Sequence, residues 1–254
     1  MHQPTLRVLE ILTLVTQSNG PLRLTDFSKI LSIPKSTLLP ILQTLCQKHY
    51  LHQTENGLYL PGTALFSLGS TFSGCFPILD YVNHQLNELV QLLQETCYFG
   101  ALENGNVLYL GKVDAPQPLR VLTQTGRRLP AYATSLGKAL LMDHNETQLL
   151  QLYPNGLTAL TTNTITEIPL LAEQLTLARR EGYAWEIEES TEHVRCFAVP
   201  VRKHGKIVAA ISVAFPLFRY QEAQKTDILA ALQERAGQIS KIIEQTDAHF
   251  GELF

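Results

Sequence analysis

With 254 residues, 45% of them hydrophobic and 17% charged, the chain has the composition of a folded globular protein and enough length for two cores, which excludes a disordered or fibrous class. Cys46, Cys75, Cys97 and Cys196 lie far apart with no C-x-x-C pair, which excludes a disulfide framework and a zinc knuckle and leaves buried free thiols as the expected state. The net charge of −3 argues by itself against a nucleic-acid partner, but residues 1–72 hold five Lys/Arg against three acids (+2) and the remainder fifteen against twenty (−5), so the first part is the basic one.

The first fifteen residues lack a basic start leading to an apolar core and a cleavage site, and the apolar run Ile207–Phe215 is too short to span a bilayer, so a cytoplasmic location is expected. Leu6, Leu9, Leu12 and Val15 recur at helical spacing, and Ser18-Asn19-Gly20-Pro21 predicts a stop with a left-handed cap. Thr25 is the expected N-cap of a short second helix carrying Phe27, Ile30 and Leu31, which Ser32-Ile33-Pro34 ends. Leu38, Ile41, Leu42 and Leu45 then mark a third amphipathic helix within Pro34–Leu45. Two β-prone runs between Tyr50 and Leu60 flank Asn56-Gly57, the pair that most strongly predicts a two-residue hairpin turn. Helix, helix-turn-helix and hairpin follow one another as in a winged helix, expected over residues 1–62.

The Gly-, Ser- and Pro-rich stretch 63–77 still holds Leu65, Phe66 and Leu68, which predicts a linker helix with flexible ends. Residues 78–254 read as a second domain. A long helix from Ile78 to Thr96 presents Leu79, Val82, Leu86, Leu89, Val90 and Leu93 on one face. Strands are predicted at Tyr98–Leu102, Val107–Val113 and Leu119–Thr125, the first two joined across Asn104-Gly105. Helices are predicted at Ser135–Met142, Glu146–Tyr153 and Ile168–Glu181, ending at Gly182. Two further strands, Val194–Arg202 and Lys206–Phe215, face each other across Lys203-His204-Gly205. A final helix, Gln221–Ile243, sets Ile228, Leu232, Ala236, Ile239 and Ile243 on one stripe. Helices outside a mainly antiparallel sheet make the fold class α+β.

Several segments together resemble the IclR family of transcriptional regulators. In the first part they are Ile33-Pro34-Lys35-Ser36-Thr37, Leu45, Tyr50 and Gly57-Leu58-Tyr59-Leu60-Pro61-Gly62. In the second they are Gly126-Arg127-Arg128-Leu129-Pro130, Ala133-Thr134-Ser135-Leu136-Gly137-Lys138-Ala139-Leu140-Leu141, Arg180-Glu181-Gly182-Tyr183-Ala184, Glu188-Glu189 and Val194-Arg195-Cys196-Phe197-Ala198-Val199-Pro200-Val201. The resemblance runs from about residue 4 to residue 245. It implies an N-terminal winged helix-turn-helix, a linker helix, and a C-terminal GAF/PAS-like effector-binding domain with an antiparallel sheet flanked by helices. It also implies homodimers, often paired into tetramers, that bind double-stranded promoter DNA and respond to organic acids or aromatic metabolites. Family behaviour favours repression of a catabolic operon, with activation as the alternative.

At the DNA end, Lys35, Ser36 and Thr37 open the helix that enters the major groove, with Gln43 and Thr44 further along. Arg23 or Thr25 is placed to reach phosphate, and Asn56 to touch the backbone from the wing tip. The bland reading of the three opening residues is a helix start with capping hydroxyls. Leu39 and Pro40 stand where relatives usually carry polar or basic side chains, which points to fewer directly read bases and more reliance on phosphates or DNA shape. A proline inside a helix costs on the order of 3 kcal/mol. With Thr37 as N-cap, Pro40 is the third helical residue and the cost vanishes.

At the sensing end the resemblance maps an effector pocket onto Val121, Ser135, Leu136, Glu186, Val194, Cys196, Ser212 and Ala214. Glu186 replaces a shorter acid and Ala214 a second serine. Free N–H groups around Ser135 suit a carboxylate, and Cys196 and Ser212 suit the far side of a ligand. Against this, Ser135 caps a helix, Cys196 and Ser212 face a core, Glu186 is an exposed strand acid, and Arg127-Arg128 is a solvated turn rather than an anion site.

Two rival classes remain. Ser135-Leu136-Gly137-Lys138 matches the S-x-x-K pattern of a lysine-activated serine hydrolase, without the accompanying S-D-N and K-T-G elements. A protein-interaction module with a vestigial sensing domain is the other. No nucleotide or zinc motif occurs, no cofactor is expected, and His193 near Cys196 reads as a chance neighbour rather than a metal pair.

Overall fold

The computed structural model describes residues 1–18, 20–117 and 124–245. They form two compact units, Met1–Phe76 and Pro77–Phe254.

The first unit contains α1 (Gln3–Gln17), β1 (Leu22–Arg23), α2 (Leu24–Leu31), α3 (Lys35–Gln47), β2 (Leu51–Gln53), β3 (Leu58–Pro61) and α4 (Thr63–Cys75). Its core gathers Ile11, Val15, Phe27, Ile33, Leu38, Leu42, Leu45, Leu51 and Tyr59, with Phe27 edge-on to Tyr59 at 5.8 Å. Leu9 and Ile30 of the expected apolar stripes point to solvent instead, at 55% and 56% exposure, because Ile11 and Phe27 already fill the positions facing α3. At the end of α1 Ser18 is extended (φ −71°) and its N–H closes the last turn on the Leu14 carbonyl, while Asn19 of the expected left-handed cap lies outside the described residues.

Helix α2 starts one residue before the predicted cap. Arg23 is its N-cap, Thr25 lies inside the first turn, and the Asp26 carboxylate accepts the Arg23 N–H at 2.7 Å. Ser32 in the left-handed region (φ 54°) turns the chain into α3. That helix starts early, not late: Pro34 is its N-cap and its carbonyl takes the N–H groups of Thr37 and Leu38. Pro40 is therefore the sixth helical residue and withholds an N–H from the Ser36 carbonyl.

The wing is a four-residue loop, where a two-residue turn was expected. Thr54 holds it, its carbonyl accepting the Gly57 N–H (2.9 Å) and its hydroxyl the Leu58 N–H (3.2 Å), and Gly57 takes a φ of 72°. Strand β1, too short to leave a sequence pattern, adds to the far edge of β3. Gly62 lies against the His49 backbone so closely that a Cβ there would meet its carbonyl oxygen at 2.1 Å, which fixes the start of α4.

The second unit contains α5 (Ile78–Leu93), β4 (Thr96–Glu103), β5 (Asn106–Val113), β6 (Arg128–Pro130), α6 (Ser135–Leu141), α7 (Glu146–Leu152), α8 (Ile168–Glu181), β7 (Ala184–Ile187), β8 (Val194–Lys203), β9 (Lys206–Pro216) and α9 (Lys225–Gln245). The six strands form one antiparallel sheet in the order β6-β5-β4-β9-β8-β7. Asn104-Gly105 and His204-Gly205 have positive φ at both positions, the tight turn that suits the twist of a hairpin. Of the strand expected at Leu119–Thr125, residues 119–123 lie outside the described residues. The strand after β5 is β6, and β7 has no counterpart among the strands predicted from sequence. The last helix begins at Lys225, after a short 3-10 turn at Glu222–Gln224.

The sheet is covered on both faces. Helices α5 and α9 pack on one, and α6 on the other with α7 and α8 beyond it. All seven residues of α6 are buried, because the sheet face beneath carries small side chains such as Ala184, Ala198, Ala210 and Ala214. Gly137 of α6 lies against Ala131, where an added Cβ would stand 2.2 Å from the Ala131 carbonyl oxygen. Gly137→Ala is expected to cost at least about 3 kcal/mol in urea unfolding of the second unit. Gly237→Ala, in α9 with nothing within 4 Å of the added methyl, should stabilise it by about 0.5–1 kcal/mol.

Candidate functional site

Each unit presents one candidate site. In the first, the face of α3 opposite Leu38, Leu42 and Leu45 is open to solvent, and Ser36, Leu39, Pro40, Gln43, Thr44 and Gln47 follow one another along it at i, i+3, i+4, i+7, i+8 and i+11. Lys35 projects at the helix start, and Thr37 is half-buried at the edge of the stripe. Arg23, Thr25 and the wing-tip Asn56 are all exposed. The stripe is polar and uncharged except for Lys35, and Leu39, at 40% exposure, is an apolar contact of the kind that meets a thymine methyl. Next to Pro40 the Thr44 hydroxyl donates to the Pro40 carbonyl at 2.8 Å, on the solvent side of the helix.

In the second unit, seven of the eight residues mapped to an effector pocket line a single cavity between the sheet and α6: Ser135, Leu136, Glu186, Val194, Cys196, Ser212 and Ala214. Val121 lies outside the described residues. Period-two alternation does this, since Glu186 on β7, Val194 and Cys196 on β8, and Ser212 and Ala214 on β9 all point to the α6 side, with Glu186 opposite Cys196 and Cys196 opposite Ala214. Tyr98, Tyr109, Thr134, Ser190 and Thr191 also face the cavity and left no recognisable trace in the sequence. The open space is about 30 Å³, room for a water or two. An organic ligand therefore requires the walls to move apart.

The polar wall differs from the simple alternatives. Ser135 is not the cap of α6; Thr134 is, its hydroxyl accepting the Gly137 N–H at 3.0 Å. Glu186 is not an exposed strand acid but is fully buried. Its carboxylate accepts the Glu189 N–H at 2.8 Å and the Ser190 hydroxyl at 3.1 Å, and burial raises its pKa above the ordinary carboxyl range. Among the described residues no Lys, Arg or His lines the cavity.

Lys138, one turn behind Ser135, is 1% exposed, and its ammonium donates to Glu189. Burial works against both charges, pulling the lysine pKa down and the carboxyl pKa up, and each charge opposes that pull on the other. With its ammonium engaged by a carboxylate, Lys138 is not a base for Ser135, so the S-x-x-K spacing has a structural cause. Arg128, at the turn considered as an anion site, pairs with Glu103. All four cysteines are free, and Cys75 is exposed rather than buried, since α4 buries none of its residues. No cluster of three or more His, Cys, Asp or Glu suited to a metal occurs among the described residues, and none of their helices is long and apolar enough to cross a membrane.

An exposed helix-turn-helix with a wing in one unit, and in the other a cavity lined by convergent polar groups between a sheet and a helix, define a DNA-binding regulator of the ligand-sensing class. Residues 5–55 match the model of the IclR helix-turn-helix domain, and residues 75–241 that of the bacterial transcriptional regulator IclR C-terminal domain. The chain is 32% identical over 240 residues to the HTH-type transcriptional regulator XynR of Escherichia coli (strain K12), covering 93% of this chain and 95% of the relative. It is 30% identical over 220 residues to the HTH-type transcriptional repressor AllR of Salmonella typhimurium, covering 85% and 80%. A crystal structure of an IclR-type regulator from Alicyclobacillus acidocaldarius superposes with a TM-score of 0.84 at 22% identity, over 95% of this chain and 98% of that one. The chain belongs to the IclR family of transcriptional regulators, which are not enzymes.

The position of Glu186 carries a pH signature. A carboxyl whose pKa is raised by folding contributes stability that is fully present below its unfolded pKa, about 4.3, and is lost as pH rises through the folded value. Glu186→Gln removes that loss. Relative to the wild type, the variant should therefore gain stability in urea unfolding as pH rises above about 4.3 and until it passes the folded value, and a difference that does not change with pH would contradict the burial argument.

Proposed function

We propose that the chain represses a catabolic operon, holding promoter DNA through α3 and the wing and releasing it when an organic acid or aromatic metabolite enters the α6 cavity. The observation that carries the reading is the cavity itself: a small space beneath α6 where seven hydroxyl-bearing side chains, a thiol and a carboxyl converge. The name of the relative AllR as a repressor supports the sign of regulation.

With no cation among the described residues of its wall, the cavity favours a ligand that is hydrogen-bonded rather than ion-paired. A carboxylate would be received by the N–H groups of Ser135 and Leu136, which have no intrahelical acceptor, beside Glu186, whose pKa burial raises. Because the space is so small, binding must displace α6 or the Ser190-Thr191 loop, and that displacement is what a DNA-binding unit can sense.

On the DNA side, Lys35 with Arg23, Thr25 and Asn56 hold phosphates, while Ser36, Thr37, Gln43 and Thr44 face base edges. Leu39 and Pro40 occupy the middle of the stripe with no donors, so this chain reads fewer bases directly and takes more of its specificity from DNA shape. Mobility shifts on a duplex selected from a random pool test this across a salt series. Lys35→Ala should lower the slope of log affinity against log salt by about 1, and Gln43→Ala should cost about 1–3 kcal/mol on the selected site and little on random DNA. Binding that is independent of salt would instead favour a protein-docking module.

The active species is a homodimer, with pairing of dimers into tetramers as a further step. Helix α4 buries no residue and exposes Phe66 (79%), Leu68 (56%) and Phe72 (40%), and Leu68 and Phe72, at i and i+4, make an apolar strip that one copy leaves uncovered, with Phe66 on the other side of the helix. A second copy would cover it and set two recognition helices one DNA turn apart. A Leu68→Glu, Phe72→Glu variant should sediment as a smaller species and bind the selected duplex at least about tenfold more weakly.

A further inference from the structure

The alternation that aims Glu186, Val194 and Cys196 into the α6 cavity sends Trp185, Arg195 and Phe197 to the other side of the same strands. There they line a separate groove of about 360 Å³, closed on its flanks by Tyr183, by Arg180 and Glu181 at the end of α8, and by Lys225 at the start of α9.

The groove is built of rings and cations. Tyr183 lies 5.6 Å from Trp185 and 6.3 Å from Phe197, and Phe197 lies 5.5 Å from Tyr220. The Arg195 guanidinium is stacked 4.1 Å from the Tyr220 centroid and 5.1 Å from Phe197, and the Lys225 ammonium stands 5.4 Å from Tyr183. Stacking holds both cations in place without neutralising them. Among the described residues their acidic partner is Glu222, which is 66% exposed and reaches Arg195 at 3.4 Å and Lys225 at 3.8 Å, distances of loose ion pairs, while Arg180 at the rim is paired with Glu181 at 2.9 Å. The Arg195 Nε is buried with no hydrogen-bond partner. A buried guanidinium N–H without an acceptor is a cost that an incoming anion would remove.

We propose that this groove is a second ligand site, taking a small planar aromatic anion whose ring lies against Trp185 and whose charge displaces Glu222 to bind Arg195 and Lys225, with Arg180 at the rim. Strands β7 and β8 are then shared by two sites on opposite faces, so a ligand in one bears on the walls of the other.

Trp185 is the only tryptophan of the chain, so its emission reports on the groove directly. Full-length protein is titrated with benzoate, and with cyclohexanecarboxylate as the non-aromatic control. Expected is a saturable change in emission with benzoate, several-fold weaker with the control, and weakened at least about tenfold by Lys225→Glu and by Arg195→Lys, two substitutions that retain the fold. Ser135→Ala, in the α6 cavity, separates the sites: the benzoate response should survive it. The proposal is overturned if no saturable change occurs up to about 20 mM benzoate. It is equally overturned if the response survives Lys225→Glu, or if Ser135→Ala abolishes it, which would put the ligand in the α6 cavity.

Discussion

The second unit is organised by the close approach of one short helix to a row of alanines. Helix α6 is buried at every residue, which is possible only because Ala184, Ala198, Ala210 and Ala214 keep the sheet surface low and Gly137 lets Ala131 touch the helix backbone. Burial of the whole helix forces burial of Lys138, and a buried ammonium needs a counter-charge. Glu189 supplies it, and in doing so ties the segment Glu188–His193 to the helix. That segment is strained at both ends, with Glu188 at φ 57° and His193 at φ 62°. Further ties hold it: the Thr164 hydroxyl donates to the Glu189 carbonyl at 2.7 Å, and the Glu188 carboxylate accepts the His193 N–H at 2.8 Å. Ser190 and Thr191, which cover the cavity, are thus positioned by a lysine that does not touch it.

The same network explains why polar groups are tolerated in an apolar layer. Glu186 would be costly at zero exposure without donors, and the donors come from the strained segment, through the Glu189 N–H and the Ser190 hydroxyl. One carboxyl, one ion pair and one loop therefore form a connected unit. Moving any part of it to admit a ligand breaks hydrogen bonds that the ligand must replace. A ligand with no hydrogen-bonding groups has nothing to offer in exchange, which is a physical basis for selectivity that needs no specific cation.

How much of this was legible in the sequence follows from the length of each signal. Long periodic elements read well: α5, α8, β8 and β9 lie within a few residues of where the apolar spacing puts them, since each repeats its pattern two or more times. Strands β1, β6 and β7 span two to four residues and complete at most two periods, so alternation could not mark them. Helix starts were misplaced where the expected hydroxyl cap was bypassed: Arg23 caps α2 with help from Asp26, and Pro34 caps α3 by its backbone alone. Seven of the eight residues mapped to the cavity by resemblance line it, but Glu186 was open to two readings because only the register with β8 decides which way it faces. The Lys138–Glu189 pair spans 51 positions, a separation no local pattern reveals.

The first unit sets a constraint of another kind. Its surplus of cations over acids is two, and the stripe of α3 that faces outward carries only Lys35 among otherwise uncharged side chains. Each phosphate contact contributes slightly less than one unit to the salt dependence of binding, so one copy has few such contacts to make and a shallow electrostatic grip. Leu39 and Pro40 remove two further positions from hydrogen-bonded readout. A single winged helix of this composition is thus weak on both counts. In the homodimer proposed above, affinity comes from linking two of them, where the second contact is made at a high effective concentration set by the spacing of the pair. The exposed Leu68 and Phe72 on one side of α4 suit such linkage, and in the proposed homodimer the geometry of the pair is the quantity on which a ligand would act.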